Sequence, residues 1–149
     1  MYSKFILLIS VLSFFFNFIW EWFQCGPFFI HRGSQATPIS MIMATLGDVI
    51  LTYLILLFTY SFTKRQEEFI HKLPRFKSII YLEIFSFLVA VGVEKFALAT
   101  NRWSYTEINQ LIPIIGVSVL PVLQLMLLSP IVLFLTTMYF KKSQLKWEN

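Results

Sequence analysis

Charge is scarce in this chain. Asp, Glu, Lys and Arg make up 13% of its 149 residues, while 57% are hydrophobic and mean hydropathy is +0.71. Soluble domains are about a quarter charged. The chain therefore lacks the polar surface that keeps a globule in solution, which excludes an ordinary soluble enzyme and a disordered tail. Cysteine is scarcer still. Cys25 stands alone, so no internal disulfide can form and a secreted disulfide scaffold is excluded. His-x-x-x-His and Cys-x-x-Cys spacings are missing, as is a glycine-rich phosphate loop. No metal and no cofactor are expected.

Long apolar runs take the place of charge. A membrane-crossing helix needs about 20 mostly apolar residues. Four stretches qualify: about 5–25, 39–62, 78–98 and 113–140. Long solid runs argue against strands, because a barrel shows short alternating segments. The expected fold class is all-α, a four-helix membrane bundle forming one domain over residues 1–149. The first run follows Lys4, as a signal peptide would. No small-x-small cleavage site follows, however, and the run is too long. Trp22-Phe23-Gln24 before Cys25 is also wrong for a lipoprotein cysteine. The first helix is expected to stay.

Basic residues set orientation. Nine of the twelve lie at Lys4, at Lys64, Arg65, Lys72, Arg75 and Lys77, or at Lys141, Lys142 and Lys146. The other side has Arg32, Lys95 and Arg102. Both termini are expected in the cytoplasm, with loops 26–38 and 99–112 outside, in a bacterial inner membrane. Because the basic residues flank apolar spans, nucleic acid is not an expected partner. Glu67, Glu68 and His71 read as a solvated loop or one helical turn.

Carboxyl groups at membrane depth are costly and usually face the bundle interior. The spans hold four: Glu21, Asp48, Glu83 and Glu94. At a rise of ~1.5 Å per residue, Glu21 and Glu94 lie ~24 Å above the inner ends of their spans, and Asp48 ~14 Å below its outer end. Gln124 lies ~16 Å from Pro113 on the same reckoning. Three helices thus place a carboxyl in the outer half, near a glutamine. The polar residues also form stripes at helical spacing. Ser10, Ser13, Asn17, Glu21 and Gln24 share a face of the first span, bordered by Trp20. Thr45, Asp48, Thr52 and Thr59 share one on the second, and Glu83 and Glu94 one on the third. Thr52 and Thr59 read as packing. Asn17 and Gln124 can serve as interhelical glue, Glu83 can pair with Lys77, and Glu94 with Lys95. Pro121 is expected to kink the fourth span and free the carbonyl of Val117, with Pro130 repeating this nearer the cytoplasm.

Trp20, Trp22, Trp103 and Tyr105 crowd the outer boundary, where aromatic belts anchor helices. Arg102-Trp103-Ser104-Tyr105 sets a cation, an indole and a phenol directly above Glu94, and His31-Arg32 lies in the other outer loop. Burial in an apolar medium disfavours a charged carboxyl, and two facing carboxyls can share a proton. Glu21, Asp48 and Glu94 are therefore the expected catalytic groups of acid–base chemistry. Asn17, Trp20, Arg102, Trp103, Tyr105 and Gln124 are the expected substrate contacts. In lipid the natural proton acceptor is an alkene or epoxide of a lipid or isoprenoid, and Trp or Tyr faces can steady the developing cation.

Asn17-Phe18-Ile19-Trp20-Glu21 resembles the N-x-x-W-E helix of membrane-embedded terpene cyclases. That resemblance implies a lyase or isomerase in which Glu21 protonates the substrate. The whole chain also looks like small four-helix bacterial membrane proteins, through Leu46-Gly47-Asp48, Arg102-Trp103-x-Tyr105 and Leu120-Pro121-x-x-Gln124. This second likeness implies no activity. Two other functions use the same residues. A proton-coupled small-solute carrier, expected to dimerise because four helices are few for a full pathway, would use Glu83 and Glu94 as a relay. A non-catalytic lipid-binding or assembly subunit would set its carboxyls against a partner's cations.

Overall fold

A computed structural model describes residues 2–31, 34–63 and 76–145, without side-chain detail for 2 and 143–145. Arg32, the loop residues Lys64, Arg65, Glu67, Glu68, His71, Lys72 and Arg75, and Lys146 lie outside the described residues. Among the described residues there are four helices: α1 (Tyr2–Phe28), α2 (Pro38–Thr63), α3 (Phe76–Ala99) and α4 (Val119–Leu145). Each is long and apolar enough to cross a membrane. They form a ring in which α1 packs on α2, α2 on α3, α3 on α4 and α4 on α1, while α2 and α4 also touch across the diagonal.

The bundle is polar inside and apolar outside. Among the described residues, Ser13, Asn17, Thr52, Thr59, Ser86 and Thr136 are completely enclosed, while Phe23, Ile39 and Phe76 are more than 70% exposed. Water would drive the opposite arrangement; lipid permits this one, because apolar side chains gain nothing by leaving it. The interior hydroxyls that bond at home do so to their own helix: Thr45 to Met41 O, Thr52 to Asp48 O and Thr59 to Ile55 O, each at 2.8 Å.

Local chemistry sets the helix ends at the site. At the start of α2, Thr37 and Ser40 cap each other reciprocally: Ser40 N–H donates to Thr37 Oγ1 (3.2 Å) and Thr37 N–H to Ser40 Oγ (2.8 Å). Pro38 takes the first helical position, where its missing N–H costs nothing. α3 ends in a Schellman turn. Asn101 adopts a left-handed φ of 52°, Arg102 N–H reaches Ala97 O (2.9 Å) and Asn101 N–H reaches Leu98 O (3.2 Å). The turn throws Arg102 and Trp103 back over the bundle.

Two short strands, β1 (Phe29–His31) and β2 (Trp103–Tyr105), pair antiparallel with His31 opposite Trp103. The apolar runs gave no sign of them. They tie the end of α1 to the end of α3. Thr106 Oγ1 donates to Pro27 O and Asn109 Nδ2 to Phe28 O, both at 2.9 Å, satisfying carbonyls at the end of α1.

The fourth helix differs from expectation. It begins at Val119, not near Pro113. Residues 112–117 instead close a loop in which Ile112 N–H donates to Val117 O and Gly116 N–H to Ile112 O, both at 2.8 Å. Ile114 and Gly116 both have positive φ there. Ser118 caps the helix through Leu120 N–H (3.2 Å). Pro121 thus falls in the first turn, where no intrahelical bond exists to be lost, and the Val117 carbonyl is already occupied. Pro121 frees no carbonyl; only Pro130 lies deep inside the helix.

Candidate functional site

The end of the bundle that carries the β1–β2 pair holds a cavity of about 170 Å³. Glu21, Asp48, Glu94 and Gln124 all line it, so α1, α2, α3 and α4 each contribute at least one polar side chain. Their stripes explain the convergence. Thr45 and Thr52, on either side of Asp48, are fully buried, as are Ser86 and Ala90 on the face of Glu94. Asp48 is itself partly buried.

Gln124 is the hub. Its Nε2 donates to Asn17 Oδ1 and to Asp48 Oδ2, each at 2.9 Å, and its Oε1 accepts from Gln24 Nε2 at 2.8 Å. Gln24 Nε2 also donates to Glu21 Oε1 (2.6 Å), and Cys25 Sγ donates to Glu21 Oε2 (2.7 Å). Glu21 and Asp48 are thus joined through the side-chain amides of Gln24 and Gln124, on the wall of the same cavity.

Glu94 is held separately. Tyr105 donates its phenol O–H to Glu94 Oε2, and the phenol oxygen accepts from Ser118 N–H at 3.0 Å. Ser118 Oγ donates to Asn109 Oδ1 (2.8 Å). Burial, with Glu94 alongside, pushes the Tyr105 phenol well above its ordinary pKa. Lys95 is exposed while Glu94 is buried, so the local carboxylate–lysine pairing gives way to the phenol.

The remaining expected contacts separate. Trp103 and Arg102 line the cavity, Arg102 as an exposed residue also lying over the Phe96 ring at 5.7 Å. Asn17, Trp20 and Tyr105 do not line it. Trp20 Nε1 donates to Gln24 Oε1 (2.9 Å), and Asn17 Nδ2 donates to Ser13 O (2.8 Å). These three hold lining residues in place. Glu83 is also off the cavity and only partly buried. Gln24 joins the lining, although it entered the sequence reading only as a stripe member. His31, Cys25, Met43 and Gly47 join it too. The missed signal for His31 was the strand pair that carries it inward.

Two buried nitrogens at the strand-pair end of the cavity, His31 Nε2 and Trp103 Nε1, have no hydrogen-bond partner. The Trp103 N–H lies near Glu94 without completing a bond to it. An unmet buried donor costs about 1–3 kcal/mol. The two rings are neighbours across the strand pair, 6.1 Å apart, with Phe29 edge-on to Trp103. Burial holds the His31 pKa below its ordinary value, partly opposed by the Glu21 charge.

Exposed lining residues mark the openings. Met43 is 63% exposed, and with Gly47 on α2 and Val93 on α3 it gives the cavity an apolar flank. Room for roughly six waters at ~30 Å³ each is well below the ~300–1,000 Å³ of a pocket that swallows a whole ligand. Such a cavity suits one end of a longer molecule. No three His, Cys, Asp or Glu side chains converge in metal-binding geometry among the described residues. Comparison with known proteins finds no matching family model, curated protein or solved structure, and the likeness to membrane terpene cyclases rests on five residues of α1 alone.

Proposed function

We propose that the protein is a membrane-embedded acid–base enzyme, an isomerase or cyclase that moves a proton on the unsaturated part of a lipid or isoprenoid. The observation that carries this reading is the convergence of the Glu21 and Asp48 carboxyls, bridged by Gln24 and Gln124, on the wall of one cavity with an apolar flank. Glu21 accepts at both oxygens, from Gln24 and from Cys25, whereas Asp48 accepts from protein donors only at Oδ2. Asp48, whose Oδ1 has no protein donor, is assigned the role of proton donor. It delivers a proton to one alkene carbon, and the other alkene carbon carries the cation. Glu21 removes a proton from the carbon on the far side of that cation, and return of the proton from Glu21 to Asp48 resets the pair. The double bond shifts, atoms balance, and no co-reactant is consumed. The face of Trp103 steadies the cation between the two steps. The nearby Glu94 adds negative charge that favours the same cation.

The orientation belongs to this reading. The basic residues favour both termini in the cytoplasm of a bacterial cell, which places the cavity in the outer leaflet. The chain works as one domain over residues 1–149.

The test is lipid extraction from membranes with and without the protein, beside proton flux in liposomes. Asp48→Asn and Glu21→Gln are each expected to abolish the lipid change, because an amide neither donates nor takes a carboxyl proton. Glu83→Gln is expected to leave it intact. Flux slowed by Glu83→Gln would favour a proton relay. A lipid profile and flux indifferent to all three variants would leave a binding or assembly role.

A further inference from the structure

Every carboxyl and amide side chain on the cavity wall has a partner within the protein. The strand-pair end differs. His31 Nε2 and Trp103 Nε1 are buried, unpartnered and part of the lining. Their residues sit opposite each other in the β1–β2 register, so two ring nitrogens face one space. Indole nitrogen can only donate. Arg102, next in the chain, adds an exposed guanidinium to the same lining. Donors and positive charge therefore gather at this end, where the one carboxyl beside them, Glu94, is already engaged by the Tyr105 phenol.

We infer that the cavity takes a lipid whose polar end is an oxyanion, a phosphate ester, held by Trp103 and His31 with Arg102 at the rim. Glu21 and Asp48 repel that end from their own wall, which orients the molecule: phosphate toward Trp103 and Arg102, unsaturated carbons toward Asp48 and Glu21. The chain leaves past Met43 and Gly47 on the apolar flank. Arg suits the head because its planar fork matches phosphate oxygens. This inference rests on the lipid reading above and names the substrate class for it.

The experiment uses the full-length protein in phosphatidylcholine nanodiscs with three probes: farnesyl phosphate, farnesol and inorganic phosphate. Native mass spectrometry reads binding. Farnesyl phosphate is expected to bind saturably and about tenfold more tightly than farnesol, as one charge-assisted contact predicts. Inorganic phosphate is expected not to bind. Arg102→Gln, on an exposed side chain, and Trp103→Phe, which keeps an aromatic ring against Phe29, are each expected to remove most of that preference while leaving farnesol unchanged. Equal binding of farnesol and farnesyl phosphate, no binding of either, or a preference untouched by both variants would overturn the inference. Inorganic phosphate binding as well as farnesyl phosphate would overturn the lipid half and leave a free-anion site. Turnover is not read. A lipid profile indifferent to Asp48→Asn would sink the enzyme and leave the binding result standing, while lost head selectivity would leave the acid–base chemistry untouched.

Discussion

Gln124 Nε2 donates to Asp48 Oδ2 and to Asn17 Oδ1 at the same distance, 2.9 Å, so one amide of α4 joins α2 to α1. Its Oε1 holds Gln24 as well. Interhelical hydrogen bonds in membranes contribute about 0.6–1.7 kcal/mol each. Replacing Gln124 with Leu loses three together, and a destabilisation of about 2 kcal/mol is expected. Reversible unfolding in mixed micelles measures it. Gln124→Glu, which keeps the shape but adds a carboxyl beside Asp48, should not rescue.

Tyr105 is expected to matter at alkaline pH. Its phenol is harder to ionise when folded than when unfolded. Stability from this group is therefore complete below the unfolded pKa of about 10 and falls as pH rises through and beyond it. Tyr105→Phe should be less stable at pH 8, by about 1–3 kcal/mol for the unmet Ser118 N–H and Glu94. It should also lose less than the parent between pH 9 and 12. Melting curves of both proteins across that range decide it.

His31 works on the acid side. Burial lowers its pKa, so the unfolded chain binds the proton better. Its contribution is complete above about 6.5 and is lost as pH falls through the folded pKa. Melting temperature is expected to drop between pH 7 and pH 5, and His31→Gln should flatten that drop. A slope unchanged by the substitution would assign it to other groups.

Orientation has its own measurement. Reporter fusions at Asn149 and Gln35 should read cytoplasmic and external, respectively. A cytoplasmic Gln35 would place the cavity in the inner leaflet.

Much of this was legible in the chain. Of the stripe Ser10, Ser13, Asn17, Glu21 and Gln24, all but the partly buried Ser10 are buried, and Asp48 does meet Gln124. The depth reckoning for Gln124 was less sound than its outcome. Counted from Val119, the residue lies only ~7.5 Å into its helix, and Pro113–Val117 is loop. Hydropathy runs on through an apolar loop, so it cannot mark that boundary; the Ser118 cap and Gly116 could have. The strand pair was hidden for another reason. Three residues carry too little alternation to register, and their pairing depends on where two helices end. With them went the position of His31.

Each of the four helices brings one wall of the cavity, and this bears on biogenesis. Helices enter a bilayer before they associate. During that interval Asp48 has no Gln124 and Glu21 has no neighbour from another helix. An ionised Asp near a helix centre costs about 2.5–3.5 kcal/mol at insertion. The flanking apolar residues of α2 must carry that load alone, and none of the site exists until α4 docks. Newly made protein caught before that step should hold three helices in place and lack the closed cavity, making the arrival of Gln124 the event that ties a set of inserted segments into one molecule.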